Sequence, residues 1–385
     1  MVYSGKVGVV TGKDLVDLMD DARARGYAIP AVNCTSSSTA NCVLEAAAKA
    51  SSPVIIQVSN GGGSFLTGKG VKTPGADAAG SVALAMHVRS VASWYGVPVV
   101  LHSDHCAKKL LPWFDGMCEA NEDYFGKYGE PLFSSHMLDL SEEPDDENIA
   151  ICVEYHKRLS KMNIWLEMEI GITGGEEDGV NNEDVDPDKL YTTPEQVWAV
   201  YRELSMVSDQ FTIAAAFGNV HGVYKGDIDL KPSILKDAQG FIGDKLMEDG
   251  LIRAAGGTRA PEKPVNFVFH GGSGSDLTDI REALDYGVVK MNIDTDTQWS
   301  YWSGVSEHQQ EFGDFLQQQV GNPTGADSPN KKYYDPRAWV RRAEKKTVER
   351  LGKAFEDLRC QNILGLPPVG EPTNTFGPRR GGLPV

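Results

Sequence analysis

The feature of this 385-residue chain that most restricts its fold is a regular alternation of short apolar runs with longer helical patterns. Eight short runs are predicted strands, the fourth of them with a weaker apolar pattern: 27–32, 53–58, 97–101, 133–138, 164–170, 211–217, 265–269 and 288–293. Repeated strand–helix units build parallel sheets, so eight of them predict a single (β/α)8 TIM barrel. A doubly wound open sheet made of the same units is the structural alternative.

The segments outside the strands set the expected domain organisation. A long helical insertion is predicted over about 232–255, and loops are predicted at Gly61–Gly63 and at 174–179. After the eighth strand, helices are predicted over about 295–320 and 336–358. We therefore expect one catalytic barrel domain with added C-terminal helices over residues 1–364. The Pro/Gly-rich tail, 365–385, is expected to lack fixed structure.

Charge and cysteine usage exclude several classes of partner. The formal net charge is −17 without any Lys/Arg-rich block, which argues against nucleic acid or an anionic membrane as a partner. The six cysteines are scattered without a Cys-x-x-Cys pair, which indicates reduced thiols in a cytosol-like compartment. No signal-peptide pattern or long apolar run is seen. We expect a cytoplasmic protein, with a plastid or other organelle left open if a transit peptide has been removed.

Three histidines follow predicted strands that are far apart in the chain. They are His105, His221 and His270, and each has small or acidic residues next to it in the sequence. Residues at the C-terminal ends of barrel strands converge on the active-site face. Three imidazoles meeting there would suit Zn²⁺ with one position left open for a substrate. His102 lies inside its strand and is expected to be an ordinary core histidine.

Carboxylates also occur at predicted strand ends. Glu167 and Glu169 are two residues apart on one strand, so both side chains project to the same face. Together with Asp139 they could hold a second or displaced metal position, because carboxylates near the barrel mouth are costly unless ligated or paired. A solvated rim of acidic residues is the alternative.

Two glycine-rich segments suggest anion binding and a catalytic loop. The turn 270–274 and the strand end 292–295 follow strands seven and eight, where barrels usually hold phosphate on backbone N–H groups and a helix N-terminus. Residues 174–179 carry three acidic residues between glycines. Its acidic residues could simply be exposed to solvent, or the loop could deliver one of them as a general base when it closes. The pattern alone leaves both open.

Six motifs, in order along the chain, resemble a known family. They are LHSDHC (101–106), SHMLDLSEE (135–143), GGEEDG (174–179), NVHGVY (219–224), HGGSG (270–274) and KMNIDTDTQ (290–298). Together they resemble the class II fructose-bisphosphate aldolases, and the longer class IIA subgroup fits best over about residues 1–358. The resemblance implies a metal-dependent barrel, usually a homodimer. It also implies reversible cleavage of fructose 1,6-bisphosphate to dihydroxyacetone phosphate and glyceraldehyde 3-phosphate, in glycolysis and gluconeogenesis.

The resemblance also implies roles for individual residues. His105, His221 and His270 match ligands of catalytic Zn²⁺, and Asp139 and Glu169 match a second or alternative divalent position. Asp104 matches the acid that exchanges a proton with the C4 oxygen, and Glu177 matches the loop base for the C1 proton of dihydroxyacetone phosphate.

Further matches concern the substrate and its phosphates. The implied contacts are Asn33, Ser59, Gly222, Gly271, Gly272, Ser273, Asn292, Ile293, Asp294, Thr295 and Arg337, the arginine reaching a neighbouring subunit's site. A monovalent cation, K⁺ or Na⁺, is implied near the backbone of Val220, Gly222 and Gly271. Ser103 departs from the threonine found in many relatives, which is a conservative change.

Three rival functions differ in what they require of the sequence. A tagatose 1,6-bisphosphate aldolase differs in sugar stereochemistry alone, and the motifs 135–143 and 219–221 favour fructose. A metallohydrolase barrel commonly has His-x-His after its first strand, whereas this chain has Asn33, Cys34 and Thr35 there. A non-catalytic phosphosugar-binding protein would not need the proton-transfer residues Asp104 and Glu177.

Overall fold

A computed structural model of the chain describes residue 3 and residues 5–177, 180–182, 190–221, 229–248 and 262–365. Its strands are β1 (Gly8–Val9), β2 (Ile29–Asn33), β3 (Val54–Val58), β4 (Pro98–Ser103), β5 (Ser135–Leu138), β6 (Trp165–Ile170), β7 (Gly174–Glu177), β8 (Val180–Asn182), β9 (Phe211–Ala215), β10 (Val220–His221), β11 (Phe267–Phe269), β12 (Val288–Ile293), β13 (Val320–Asn322) and β14 (Gly325–Pro329). Its α-helices are α1 (Gly12–Arg25), α2 (Ser37–Ala50), α3 (Asn60–Thr67), α4 (Ala76–Tyr95), α5 (Leu111–Tyr128), α6 (Asp145–Leu159), α7 (Pro194–Ser205), α8 (Ser233–Glu248), α9 (Leu277–Asp285), α10 (Thr295–Phe312), α11 (Lys331–Tyr334) and α12 (Pro336–Asp357).

Eight parallel strands of the described chain close into a barrel. Their order is β4-β3-β2-β12-β11-β9-β6-β5, and β5 pairs back with β4. The closing register places His102 opposite Ser135 and Ser103 opposite His136. Closure confirms the predicted (β/α)8 barrel and excludes the open doubly wound sheet.

The predicted strand runs match the barrel strands closely. The third run ends two residues too early, since β4 extends through His102 and Ser103. Those two residues are still paired on both sides, because β3 and β5 continue alongside them. The sixth run is too long, because β9 ends at Ala215.

Local capping chemistry sets several helix boundaries. Thr193 and Gln196 form a capping box at the start of α7. Gly26 ends α1 in the left-handed conformation, with φ of 67°, which glycine adopts without steric cost.

The expected loop at Gly61–Gly63 is wrong, since these residues belong to helix α3. Ser59 caps the helix by accepting a hydrogen bond from the Gly62 N–H. A Cβ at Gly63 would lie 2.4 Å from the Asp77 carbonyl oxygen of α4. The glycines therefore permit a close helix crossing rather than a flexible turn.

The loop expected over 174–179 is also largely a small sheet. β7 pairs antiparallel with β8 and parallel with β10, giving the order β10-β7-β8. β7 follows β6 and β10 follows β9 along the chain, so the sheet lies on the side of the C-terminal strand ends. Asp178 and Gly179 fall outside the described residues.

The C-terminal region differs from prediction at one helix end. The helix expected to reach residue 320 stops at Phe312, and β13 and β14 form an antiparallel hairpin after it. The final long helix, α12, confirms its predicted range to within one residue. Within the described part of the insertion, α8 ends at Glu248; residues 249–255 and the tail 366–385 are outside the described chain. No helix among the described residues is long and apolar enough to cross a bilayer.

Candidate active site

Three buried side chains from separate barrel strands meet at the C-terminal face. His105 follows β4, Glu169 lies on β6 and His270 follows β11. Each offers a ligand atom, and these atoms all lie within 4.8 Å of one another. Two imidazoles and a carboxylate form a donor set that suits Zn²⁺ and related divalent metals. The residues present therefore fit a catalytic metal.

The backbone and a neighbouring carboxylate fix His105. Its φ of +28° is unusual for a residue other than glycine. Its Nδ1 lies 3.0 Å from Oδ2 of Asp139, whose Oδ1 accepts a 2.7 Å hydrogen bond from the Ser141 hydroxyl. Burial alone would raise the pKa of Asp139, but the hydrogen bond from His105 lowers it to about 2. The ionised carboxylate therefore orients the imidazole.

His270 lies between two buried carboxylates. Its Nε2 is 2.9 Å from Oε1 of Glu167, and its Nδ1 is 3.1 Å from Oε2 of Glu169. Burial alone would lower the pKa of His270, but the two carboxylates raise it to about 9. The same negative charge would favour a metal cation between Glu169 and the imidazoles.

The structure places His221 on β10 rather than at the end of a barrel strand. Its Cα is paired with that of Gly175 on β7, and its side chain is outside the described part of the structure. Two residues before His221, the side-chain amide of Asn219 donates hydrogen bonds to the Thr173 hydroxyl and to the His270 carbonyl. This amide ties the β10 segment to the metal cluster, while ligation by His221 stays a prediction.

Three amides hold the carboxylate of Asp104, which is fully buried just after β4. Oδ2 accepts from Asn33 Nδ2 at 3.1 Å and from Gln57 Nε2 at 2.9 Å. Oδ1 accepts from Asn292 Nδ2 at 3.2 Å and lies 3.9 Å from Nε2 of His105. The carboxylate therefore has a fixed orientation beside the metal cluster, as a general acid–base group needs.

The loops after β11 and β12 lie side by side because these strands pair. Gly271 adopts a φ of +64°, and a Cβ at Gly272 would lie 2.1 Å from Met291 Cε. Ile293 ends β12, and Asp294 and Thr295 begin the 18-residue helix α10. Backbone N–H groups at such a helix start bind phosphate well.

Most of the sequence also matches a known family. The family model described as "Fructose-bisphosphate aldolase class-II" matches residues 13–363. The chain belongs to the class II fructose-bisphosphate aldolase family.

Individual relatives agree with the family match. The fructose-bisphosphate aldolase of Kluyveromyces lactis is 55% identical over 365 residues, which cover 94% of this chain and 98% of that protein. The Haemophilus influenzae protein of the same name is 54% identical over 363 residues, covering 93% and 98%. The crystal structure of the Campylobacter jejuni fructose-bisphosphate aldolase superposes with a TM-score of 0.83 at 52% identity, covering 93% of this chain and 97% of that chain.

Two residues implied by the resemblance to the family are not brought into the described cluster. Arg337 lies in the first turn of α12, has an 89% exposed side chain and pairs with Asp335. Glu177 ends β7, with its Cα paired to that of Val180, and its side chain is outside the described structure. Gly222 is outside the described residues altogether. The roles of these three residues stay predictions.

Sequence reasoning missed a buried ionic network in this family member. Lys290 Nζ lies 2.8 Å from Glu167 Oε1, and both side chains are almost fully buried. Burial alone would raise the pKa of Glu167, but Lys290 and the neighbouring histidines His102 and His270 hold it well below its ordinary value. Burial of Glu167 and Glu169 excludes the solvated acidic rim.

Sequence signals for the missed residues were present. Lys290 stands inside the apolar run of β12, and Gln57 is the one polar residue of β3. A polar side chain inside a buried strand normally has a specific partner, which sequence alone does not identify.

Proposed function

We propose that this protein is a metal-dependent class II fructose-bisphosphate aldolase. It would cleave fructose 1,6-bisphosphate reversibly to dihydroxyacetone phosphate and glyceraldehyde 3-phosphate, in glycolysis and gluconeogenesis. The observation that carries the proposal is the metal-ligand cluster of His105, Glu169 and His270 beside the oriented carboxylate of Asp104. A lyase of this kind needs both an electrophile and a proton acceptor in one pocket.

The proposed cofactor is Zn²⁺, held by His105, His221 and His270. Asp139 and Glu169 provide a second or displaced divalent position, which their contacts with His105 support. When bound, the ion supplies electrophilic stabilisation of the negative charge that carbon–carbon cleavage leaves on the ketone half of the substrate.

Asp104 is the proposed proton acceptor in the cleavage direction. It takes the proton of the C4 hydroxyl as the C3–C4 bond breaks, and the electron pair of that bond passes to the dihydroxyacetone phosphate half. Glu177 then delivers a proton to the C1 carbon of that product. In condensation both transfers reverse, so Asp104 protonates the aldehyde oxygen. The amides of Asn33, Gln57 and Asn292 hold the carboxylate in place during these transfers.

Substrate phosphates are assigned to backbone and helix-terminal groups. Gly271–Ser273 and Asn292–Thr295 supply N–H groups near the start of α10, and Ser59, Asn33 and Gly222 supply further contacts. A monovalent cation, K⁺ or Na⁺, is proposed near the backbone of Val220, Gly222 and Gly271. Arg337 is proposed to reach the site of a second copy in a homodimer, and its exposure supports that role.

We also propose a cytoplasmic location for the enzyme. All six cysteines are buried free thiols, as expected in a reducing compartment.

The proposal is tested by measuring triose-phosphate release and bound metal in the same purified sample. Fructose 1,6-bisphosphate should be cleaved with a higher kcat/KM than tagatose 1,6-bisphosphate. A preference for the tagatose isomer would assign the protein to the other substrate. Failure to cleave either sugar in the metal-loaded protein would overturn the proposed activity.

A further inference from the structure

A buried ion pair spans the barrel interior, and the proposed reaction does not use it. Glu167 is on β6 and Lys290 is on β12, and β9 and β11 separate these strands in the barrel. Their charged atoms are 2.8 Å apart, and both side chains are 3% exposed or less. Removing two charges from water costs about as much as their attraction returns, so stability alone is a weak reason for such a pair.

Glu167 also contacts the metal cluster directly. The same Oε1 atom that accepts from Lys290 lies 2.9 Å from Nε2 of His270. On the other side of this imidazole, Nδ1 faces Glu169, which belongs to the group of potential metal ligands. When His270 ligates a metal its ring is neutral, and a hydrogen on Nε2, donated to Glu167, leaves the Nδ1 lone pair directed towards that group.

The second oxygen of Glu167 is held more loosely. Oε2 is 3.4 Å from the Thr212 hydroxyl and 3.7 Å from Nε2 of His102, whose Nδ1 is 2.8 Å from the Ser135 hydroxyl. The short contacts to Oε1 therefore set the position of the carboxylate. Lys290 supplies a balancing positive charge for the buried carboxylate.

We propose that Glu167 is a positioning residue that fixes the orientation of His270 and keeps its hydrogen on Nε2, and that Lys290 balances the charge of Glu167. This inference rests on the proposed function, because it takes His270 to be a metal ligand. Carboxylates that accept the second N–H of a metal-ligating histidine typically contribute about 10–100-fold to metal affinity. We expect no such contribution to metal affinity from Lys290, since a positive side chain near the site does not attract a metal cation.

The test uses Co²⁺ as the probe, added to metal-free full-length protein and followed by calorimetry and by the visible absorption of the bound ion. E167Q replaces the charged acceptor with a neutral amide of nearly the same shape. K290M removes the cation and leaves the Glu167–His270 contact. T212V is the matched control, because Thr212 hydrogen-bonds to Glu167 and does not belong to the group of potential metal ligands. The Tm of each metal-free variant reports stability separately.

We expect E167Q to weaken Co²⁺ binding by about 10–100-fold and to alter the Co²⁺ absorption spectrum. K290M and T212V should weaken it by less than about threefold, below the range of an orienting carboxylate. The double variant E167Q/K290M carries no unpaired charge and should show the same loss of affinity as E167Q. If E167Q does not fold, the Co²⁺ affinity of the double variant tests the contribution of Glu167 in its place.

Failure of the inference and failure of the proposed function give different results. If wild-type protein does not bind Co²⁺, the metal-dependent function itself is wrong. If wild type binds Co²⁺ but the Glu167 variants bind it within about threefold of wild type, the positioning role is overturned and the function stands. Equal weakening in K290M and E167Q, accompanied by an equal fall in the Tm of the two metal-free variants, would show that the pair acts through stability alone, and would likewise overturn the role.

Discussion

The side-chain amide of Asn292 donates a 3.2 Å hydrogen bond to the buried carboxylate of Asp104. The two residues are 188 positions apart in the chain, and the closed barrel brings β12 and the end of β4 to the same face. This contact couples the proposed phosphate-binding strand to the proposed proton acceptor. Proton transfer can therefore be tested apart from metal binding, because Asp104 is outside the group of potential metal ligands.

Substituting Asp104 should remove proton transfer and spare the metal. We expect D104A to lower kcat by about 10²–10⁴-fold, the usual contribution of a general acid–base group, while metal content stays at the wild-type level. Steady-state assays and metal analysis of the same sample check this. D21N is a matched control, since Asp21 is a buried carboxylate on α1 that bonds to Tyr27. An unchanged kcat in D104A would refute the assigned role.

Substituting Asp139 should weaken the metal site. Asp139 orients His105 through a 3.0 Å hydrogen bond, so D139A should lower Zn²⁺ affinity by about 10–100-fold. Competition with a chromophoric chelator measures the change. S141A should have a smaller effect, because Ser141 acts on the metal site through Asp139 alone among its described contacts. Wild-type affinity in D139A would show that His105 does not need this partner.

A salt bridge between α2 and α12 should make stability depend on pH. Hydrogen bonds from Arg341 lower the pKa of Glu45 from 4.5 to about 2 in the folded protein. The folded-state pKa is depressed, so the stabilisation is complete above pH 4.5 and is lost as the pH falls towards 2.

E45Q removes this titration. It should lower the free energy of unfolding by about 0.5–1 kcal/mol at pH 7 and by progressively less towards pH 3. Urea unfolding at several pH values measures both effects. E349Q, which alters a weak surface pair at 3.9 Å, should change stability by less than about 0.5 kcal/mol throughout. A constant difference for E45Q at all pH values would contradict the assignment.

The two helical glycines Gly63 and Gly126 should respond oppositely to alanine. A Cβ at Gly63 would overlap the Asp77 carbonyl oxygen, so G63A should destabilise the protein by about 1–3 kcal/mol despite the better helix propensity of alanine. At Gly126, in α5, a Cβ meets no atom within 4 Å, so G126A should stabilise by up to about 1 kcal/mol. The midpoints of urea unfolding of G63A and G126A check this prediction. Equal effects of the two substitutions would mean that α3 and α4 do not cross closely.

The barrel and most strand ends could be predicted because their patterns are local. Runs such as β6 and β12 alternate with helices of ordinary length, and polar residues such as Asp104 and His270 follow the strands directly. Parallel pairing then dictates that these ends meet. This is why two of the three histidines predicted to meet, His105 and His270, lie together in the described cluster.

The missed features depend on contacts between distant segments. Gly61–Gly63 resembles a loop until α4 packs against it, and residues 174–177 form a strand because β8 and β10 pair with them. The partners of Lys290 and Gln57 likewise lie on or directly after other strands, 123 and 47 residues away. Sequence spacing does not report such pairings, since tertiary context overrides local propensity.

Metal removal and restoration test the central claim most directly. The measurement is the rate of triose-phosphate release from fructose 1,6-bisphosphate by chelator-treated protein, before and after Zn²⁺ is added, with metal content determined in parallel. The electrophile assigned to the cluster of His105, Glu169 and His270 is essential for carbon–carbon cleavage, so activity should disappear with the metal and return in proportion to Zn²⁺ bound. Undiminished cleavage by the metal-free protein would contradict the account.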